Sequence, residues 1–192
     1  MKNFTDYQDF EMKPGAGYAA ALGATEAFKK QWQEKLKTNG SSLSVTEKQR
    51  LHSMQLWLAV LHEVADTIGP KACFDIGKSV AKNIELPYDA DTIQKALTHI
   101  DLAYHESHSF QGNPMFDTER GLWQEGIGHF EYEASHERGA TLICDTPYPC
   151  DLEHGLISGI AERFEPKARV QLDLAEPSRK SGAEATVYHI SW

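Results

Sequence analysis

Residues 144–154 read CDTPYPCDLEH, and they separate a segment with strand periodicity from one with helical periodicity. Prolines at positions 147 and 149 break the extended chain, since proline lacks the amide hydrogen that a sheet ladder needs. Asp151 is placed to cap a helix over about residues 152–164, whose apolar positions share one face. The stretch therefore predicts a strand, a turn and a helix in succession.

Apolar alternation on both sides of this turn predicts four strands. Two precede it, at about 126–134 and 139–145, and residues 136–139 form the hairpin between them. Two follow the helix, around Val170–Leu174 and Val187–Ile190. Residues from about 123 to 192 are thus expected to form a β-β-α-β-β module.

Four helices are predicted before this module. The helix over about 46–68 is apolar around most of its circumference, which is typical of a helix buried by several neighbours. The other helices span about 17–37, 70–84 and 90–108, and residues 109–122 have the composition of a loop. This order predicts an α+β fold, with an N-terminal helical layer packed on a four-stranded antiparallel sheet. We expect an arm and helix at 1–45 and a single compact unit at 46–192.

Composition excludes several classes of function. The 192 residues carry a net charge of −9, and the 19 lysine and arginine residues are dispersed, which argues against binding to a phosphate backbone. No apolar run approaches the ~20 residues that cross a bilayer, and the first residues lack the apolar core of a secretion signal. Three cysteines are too few for a disulfide framework, so we expect a reduced, cytoplasmic compartment.

Three short segments carry a resemblance to a known family: TPYPCD at 146–151, GLISG at 155–159 and GAEATVY at 182–188. Together with the helices and the GIG segment at 126–128, they resemble the four-vinyl-reductase-type domain. That domain shares its fold with the haem nitric-oxide-binding sensors and the TRAPP trafficking subunits. The resemblance covers roughly residues 48–192. It implies a regulatory, small-molecule-binding module that forms homodimers and holds its ligand between the helices and the sheet.

The sequence departs from the family at its usual metal site. Many relatives carry cysteines just before the last strand, but Ser178 and Ala185 stand at about those positions. No segment resembles the signature of the haem sensors either. The resemblance therefore carries over neither the metal site nor haem.

Cys144, Cys150 and His154 form a first candidate metal site, in the segment 144–154. Two thiols and an imidazole are ligands that Zn²⁺ prefers. The alternative is that the cysteines are buried packing residues, or that Cys150 is a reactive thiol at a helix start.

Asp101, His105 and His108 form a second candidate, at i, i+4 and i+7 on one face of the predicted helix 90–108. Two imidazoles and a carboxylate suit iron or zinc. The alternative is that the two histidines interact with the negative end of the helix dipole. His129 or His136 would complete this ligand set if the fold brought the hairpin close.

Aromatic residues on inward faces predict an apolar pocket for a small apolar or aromatic ligand. The alternative is that they fill the core. The predicted pocket residues are Trp57, Phe74, Tyr104, Phe110, Trp123 and Phe130, and Phe116, Tyr132 and Tyr148 belong to the same set.

No catalytic string is present, so a protein that is not an enzyme is favoured and no catalytic residue is assigned. The first hypothesis is a small-molecule-binding sensory or regulatory protein with the apolar pocket. The alternative is a metal- or haem-binding protein, an enzyme or a metal sensor, that uses the His, Asp or Cys ligands. A second alternative is a dimeric scaffold.

Overall fold

The computed structural model describes residues 4–13, 16–38, 52–87 and 89–192. It has an α+β fold of helices and antiparallel strands, as the sequence predicts. The helices are α1 (Ala16–Ala24), α2 (Glu26–Thr38), α3 (Met54–Thr67), α4 (Pro70–Asn83), α5 (Ile93–Thr98), α6 (Ile100–Glu106) and α7 (Cys150–Phe164). The strands are β1 (Phe10–Met12), β2 (His52–Ser53), β3 (His108–Phe110), β4 (Asn113–Pro114), β5 (Phe116–Asp117), β6 (Leu122–Trp123), β7 (Phe130–His136), β8 (Gly139–Cys144), β9 (Arg169–Leu172) and β10 (Thr186–Ser191).

The C-terminal module has the predicted β-β-α-β-β order. Its four-stranded antiparallel sheet has the order β7-β8-β10-β9. The first strand begins at Phe130, later than the predicted 126, because Gly126 and Gly128 adopt positive φ angles of 122° and 73°. That left-handed backbone cannot continue a strand.

Helix α7 packs closely on α4 through glycines. A Cβ atom added at Gly155 would lie 2.8 Å from the backbone carbon of Phe74, and one at Gly77 would lie 2.7 Å from the backbone nitrogen of Leu156. Real side chains do not approach a backbone so closely, so only glycine permits this helix contact. Because α7 also faces the sheet, the Tyr188 hydroxyl of β10 donates to the Cys150 carbonyl at 2.7 Å.

A second sheet corrects the prediction of a loop at 109–122. Strand β1 pairs with both β2 and β3, and β3 also pairs with β4, so the sheet order is β2-β1-β3-β4. A separate hairpin joins β5 and β6. These strands have two or three residues each, too few for alternation to be visible in the sequence.

Two predicted helices are each divided in the structure. The first ends at Ala24, and a new helix begins after Thr25, whose Oγ1 accepts a hydrogen bond from the Phe28 N–H at 3.0 Å. The predicted helix 90–108 is two short helices, α5 and α6, and it ends at Glu106. His108 consequently lies on a strand rather than on the helix.

Helix α3 is buried on several sides, as its sequence predicts, with Met54, Leu58, Val60, Leu61 and Val64 fully inaccessible. It begins at Met54 rather than near 46, because His52 and Ser53 pair with β1 and the Ser53 hydroxyl accepts from the Leu56 N–H. The predicted helix start at 46–51 lies outside the described residues. Across the part of the chain that the structure describes, no helix is both long and apolar enough to cross a bilayer.

Candidate functional site

An apolar cavity of about 400 Å³ lies where β1, α3, α4, α6 and α7 meet. This volume falls within the range of small-ligand sites, roughly 300–1,000 Å³. Its wall contains four aromatic residues, Trp57, Tyr104, Phe130 and Tyr148, together with Ile100, Ala103, Leu152 and Leu156. Lys13, Glu85 and Glu106 supply the charged residues of the wall.

Three of the six residues predicted for the pocket, Trp57, Tyr104 and Phe130, lie in this wall, and three lie elsewhere. The Phe74 ring packs against the His154 ring of α7. The Phe110 ring packs on Phe10 of β1. Trp123 is 45% exposed on β6, and its ring packs on His105 and Phe116.

His108 and Tyr148 form the polar part of the cavity wall. The His108 Nδ1 lies 2.7 Å from the Tyr104 carbonyl oxygen, so Nδ1 carries the hydrogen and donates it. The Nε2 atom therefore accepts from the Tyr148 hydroxyl at 2.8 Å. Burial lowers the pKa of His108 to about 4, so the ring is neutral at pH 7.

A larger cavity, of about 630 Å³, lies at the start of α7. Its wall carries charges of both signs, and four of them form two ion pairs: Lys35 with Glu63 at 3.2 Å and Lys180 with Asp151 at 2.7 Å. Because these charges pair within the wall, the smaller apolar cavity is the better candidate for a ligand site.

Beside the start of α7, the fully buried Glu153 ties the turn after β8 to the last strand. Its carboxylate pairs with Arg179 and accepts from the Thr146 hydroxyl at 2.5 Å and the Tyr188 hydroxyl at 3.4 Å. Burial raises the pKa of Glu153 to about 7, although these three partners act to lower it. The Arg179 guanidinium also donates to the Tyr148 carbonyl at 3.1 Å. These bonds hold the turn between β8 and α7 in place, which is a structural role.

Cys144, Cys150 and His154, predicted as one metal site, face separate partners. The Cys144 thiol is fully buried, and burial raises its pKa well above the usual value. The Cys150 sulfur lies 3.3 Å from the Thr186 hydroxyl. The His154 Nε2 lies 3.0 Å from the Val170 carbonyl, to which it donates. Among the described residues, these three side chains do not form a group with metal-ligand spacing.

The fold brings together two of the three residues in the other predicted metal set and adds a different histidine as the third. Asp101 and His105 lie together, and His129 joins them, whereas His108 faces the cavity. The His129 Nδ1 is 3.0 Å from the Asp101 Oδ2, and the His105 Nδ1 is 3.4 Å from the Asp101 Oδ1. His108 is separated from the group because α6 ends at Glu106 and β3 begins at His108.

The charges in this group depend on one another. Burial raises the pKa of Asp101, but hydrogen bonds from His105, His129 and the Phe130 N–H outweigh it, so the pKa lies below the usual value. Burial lowers the pKa of His129, but Asp101 and Glu125 outweigh it and raise the pKa to about 8. Glu125 is absent from the predicted ligand set, although its spacing of four residues from His129 is visible in the sequence.

Comparison with solved structures identifies the fold. An H-NOX protein from S. oneidensis in the Fe(II)NO ligation state matches with a TM-score of 0.63 and 13% identity, over 92% of this chain and 97% of that one. A variant H-NOX from T. tengcongensis matches with a TM-score of 0.62 and 14% identity, over 94% and 97%. A variant H-NOX domain from Shewanella oneidensis in the Fe(II)CO state, solved by NMR, gives 0.64 and 14%, over 94% and 98%.

No protein-family model and no curated protein matches the sequence. At 13–14% identity, the structural matches show the fold alone. They cover the N-terminal elements as well as the C-terminal module, since the matched part is more than nine-tenths of this chain. The chain has an H-NOX-like fold.

Proposed function

We propose that this protein is a non-catalytic, sensory or regulatory small-molecule-binding protein whose ligand occupies the apolar cavity. The observation that supports this most directly is the wall of the cavity, where the rings of Trp57, Tyr104 and Phe130 accompany one neutral imidazole–phenol pair, His108 and Tyr148. A mostly apolar wall with a few polar groups is the usual anatomy of a small-ligand site. The resemblance to the four-vinyl-reductase-type domain and the H-NOX-like fold favour the same interpretation.

The wall indicates the chemistry of the ligand. Desolvation favours an apolar or aromatic body, and the Tyr148 hydroxyl oxygen, whose hydrogen is donated to the His108 Nε2, remains an acceptor for one polar group. A strongly charged ligand would meet one lysine, Lys13, against two glutamates, Glu85 and Glu106. We therefore expect a small neutral molecule.

Haem, which the fold family implies, does not fit these residues. Among the described residues of the cavity wall, His108 is the one imidazole, and both of its ring nitrogens are hydrogen-bonded. The buried imidazole nitrogen that has no hydrogen-bond partner, Nε2 of His105, is not in the wall. Two haem propionates would also meet the single cation Lys13 beside two carboxylates.

A matched pair of variants tests this proposal. Ala103→Phe places a phenyl ring in the cavity, because Ala103 lies in its wall. Ala134→Phe adds the same ring at an exposed position of β7. The probe is N-phenyl-1-naphthylamine, whose fluorescence rises in apolar surroundings. We expect saturable 1:1 binding to the unmodified chain and to Ala134→Phe, and binding at least about tenfold weaker to Ala103→Phe, which is about 1.4 kcal/mol.

Two results would contradict the proposal: no saturable binding to the unmodified chain, or equal affinities for Ala103→Phe and Ala134→Phe. Circular dichroism of both variants establishes that each is folded. The homodimer that the resemblance implies remains a prediction, and light scattering at micromolar concentration measures it.

A further inference from the structure

Two histidines and a carboxylate converge between α6 and the start of β7, outside the wall of the apolar cavity. We propose that Asp101, His105 and His129 form a binding site for a divalent transition-metal ion, for which Zn²⁺ is the representative. This site is independent of the proposed function, because none of its three residues lines the cavity.

The spacing of the ligand atoms supports this proposal. One carboxylate oxygen and one ring nitrogen from each histidine lie within 4.8 Å of one another. Zinc bonds of about 2.1 Å in a tetrahedral arrangement put neighbouring ligand atoms roughly 3.4 Å apart. The two distances from Asp101 are already 3.0 Å to the His129 Nδ1 and 3.4 Å to the His105 Nδ1. A small inward movement of the His129 side chain, which is 36% exposed, would close the group around an ion.

The surroundings orient His129 as a metal-binding histidine is oriented. Its Nε2 lies 2.8 Å from the Glu125 carboxylate, to which it donates, so Nδ1 is the nitrogen that faces Asp101. A carboxylate that holds the far nitrogen of an imidazole ligand is a recurring feature of zinc sites. The carboxylate of Asp101 is oriented as well, because its Oδ1 accepts from the Phe130 N–H at 2.9 Å.

His105 supplies a second, independent observation. The residue is fully buried, and its Nε2 has no hydrogen-bond partner among the described residues. Its other nitrogen, Nδ1, lies 2.9 Å from the Asp101 carbonyl oxygen. Buried polar atoms nearly always have partners, so an imidazole with an unused nitrogen beside a carboxylate and another imidazole calls for an explanation. Nδ1 is the nitrogen that lies beside the Asp101 carboxylate, so an ion bound there would replace its contact with the Asp101 carbonyl oxygen.

The ligand types select the class of ion. Two imidazoles and one carboxylate suit Zn²⁺, Fe²⁺, Co²⁺ or Ni²⁺, whereas Mg²⁺ and Ca²⁺ prefer an all-oxygen shell. With three protein ligands, at least one coordination position remains for water. Asp101 and His129 are partly exposed, at 21% and 36%, so an ion can reach the group from solvent.

The experiment uses the full chain after dialysis against a chelator, titrated with Zn²⁺ and separately with Co²⁺. His129→Gln removes an exposed ligand without disturbing the core, and Asp101→Asn is the second test variant. The control is His189→Gln, which removes another partly exposed histidine whose Nε2 is 3.0 Å from a carboxylate, that of Asp173. We expect one equivalent of Zn²⁺, no competition from Mg²⁺, at least tenfold weaker binding in both test variants, and unchanged binding in the control.

Three outcomes would overturn the proposal and leave a hydrogen-bonded structural cluster only. These are no stoichiometric binding to the unmodified chain, unchanged binding in His129→Gln and Asp101→Asn, or an equal loss in the His189→Gln control. The Co²⁺ spectrum provides a further criterion, because a thiolate-to-cobalt charge-transfer band would assign the ion to Cys144 or Cys150 instead.

Discussion

Gly155→Ala should destabilise the protein strongly, because α7 and α4 touch at this glycine. An added Cβ atom would lie 2.8 Å from the backbone carbon of Phe74 and 3.0 Å from its Cα. Carbon atoms pack at about 3.5–4.0 Å, so the two helices would have to separate by roughly 1 Å. The neighbour is backbone, which cannot rotate away as a flexible side chain can.

The expected change in the free energy of unfolding follows from two opposing effects. Overpacking a core typically costs about 1–3 kcal/mol, and the rigid neighbour places this substitution near 3 kcal/mol. The greater helix propensity of alanine offsets about 1 kcal/mol of that. We expect the free energy of unfolding to fall by about 2 kcal/mol, and Tm to fall by roughly 4–8 °C for a chain of this size.

The control is Gly23→Ala on α1, where an added Cβ atom would meet nothing within 4 Å. There alanine should raise the free energy of unfolding by about 0.5–1 kcal/mol. Urea unfolding followed by tryptophan fluorescence measures both variants. If Gly155→Ala unfolds within about 0.5 kcal/mol of Gly23→Ala, the close α4–α7 contact is not present in solution and the reasoning fails.

Three further changes test the buried polar groups. Arg179→Met at pH 8 should lower the free energy of unfolding by about 3–5 kcal/mol, as measured in urea, because it leaves the buried Glu153 carboxylate without its ion-pair partner; a loss below about 1 kcal/mol would contradict this. The pKa of Glu153 is about 7 in the folded chain against 4.5 for a free carboxyl, so its contribution is complete below pH 4.5 and is lost as pH rises to 7. The pKa of His108, about 4, makes stability fall as pH drops below 6.5, which is the opposite direction. The measurement is therefore the difference in free energy of unfolding between the unmodified chain and Glu153→Gln. This difference should grow in favour of the variant from pH 4.5 to 7 and then level off, and a difference that does not change with pH would refute the reasoning. Tyr148→Phe should cost about 1–2 kcal/mol by removing the hydrogen bond to His108 Nε2, and an unchanged thermal melt would show that water or another group replaces the hydroxyl.

The sequence predicts the C-terminal module well because the information there is local. Burial alternates along β8, where Ala140, Leu142 and Cys144 are buried, and the proline-containing turn separates the strand from α7 without ambiguity. The second sheet could not be predicted in the same way. Its pairing of β1 with β3 joins residues about a hundred positions apart, and neither strand is long enough to show a period.

The cavity wall likewise combines residues that the sequence indicates with residues that no local pattern indicates. Trp57, Tyr104 and Phe130 lie on elements whose inward faces are visible in the sequence, and they line the cavity. Met12 and Lys13 complete the wall from the other end of the chain, and no local pattern indicates that. Phe74 illustrates the reverse error, since an apolar residue on a buried helix can face a neighbouring helix instead of a cavity.

The short helix α6 explains both what the sequence predicted of the metal site and what it did not. Spacing of four residues placed Asp101 and His105 together, and that relation is local to the helix. His108 would have followed them if the helix had continued, but β3 begins there and its ring reaches Tyr148. Its place is taken by His129, which the turn at Gly128 brings back beside Asp101.

Helix α6 consequently separates two candidate sites. Ala103 and Tyr104 face the apolar cavity, while Asp101 and His105 face the start of β7. Ala103→Phe therefore alters only the cavity wall, and His129→Gln alters only the metal-ligand group. If the first variant loses the probe and the second keeps zinc, the cavity is functional and the histidine cluster is structural; the opposite pattern assigns the function to the metal site.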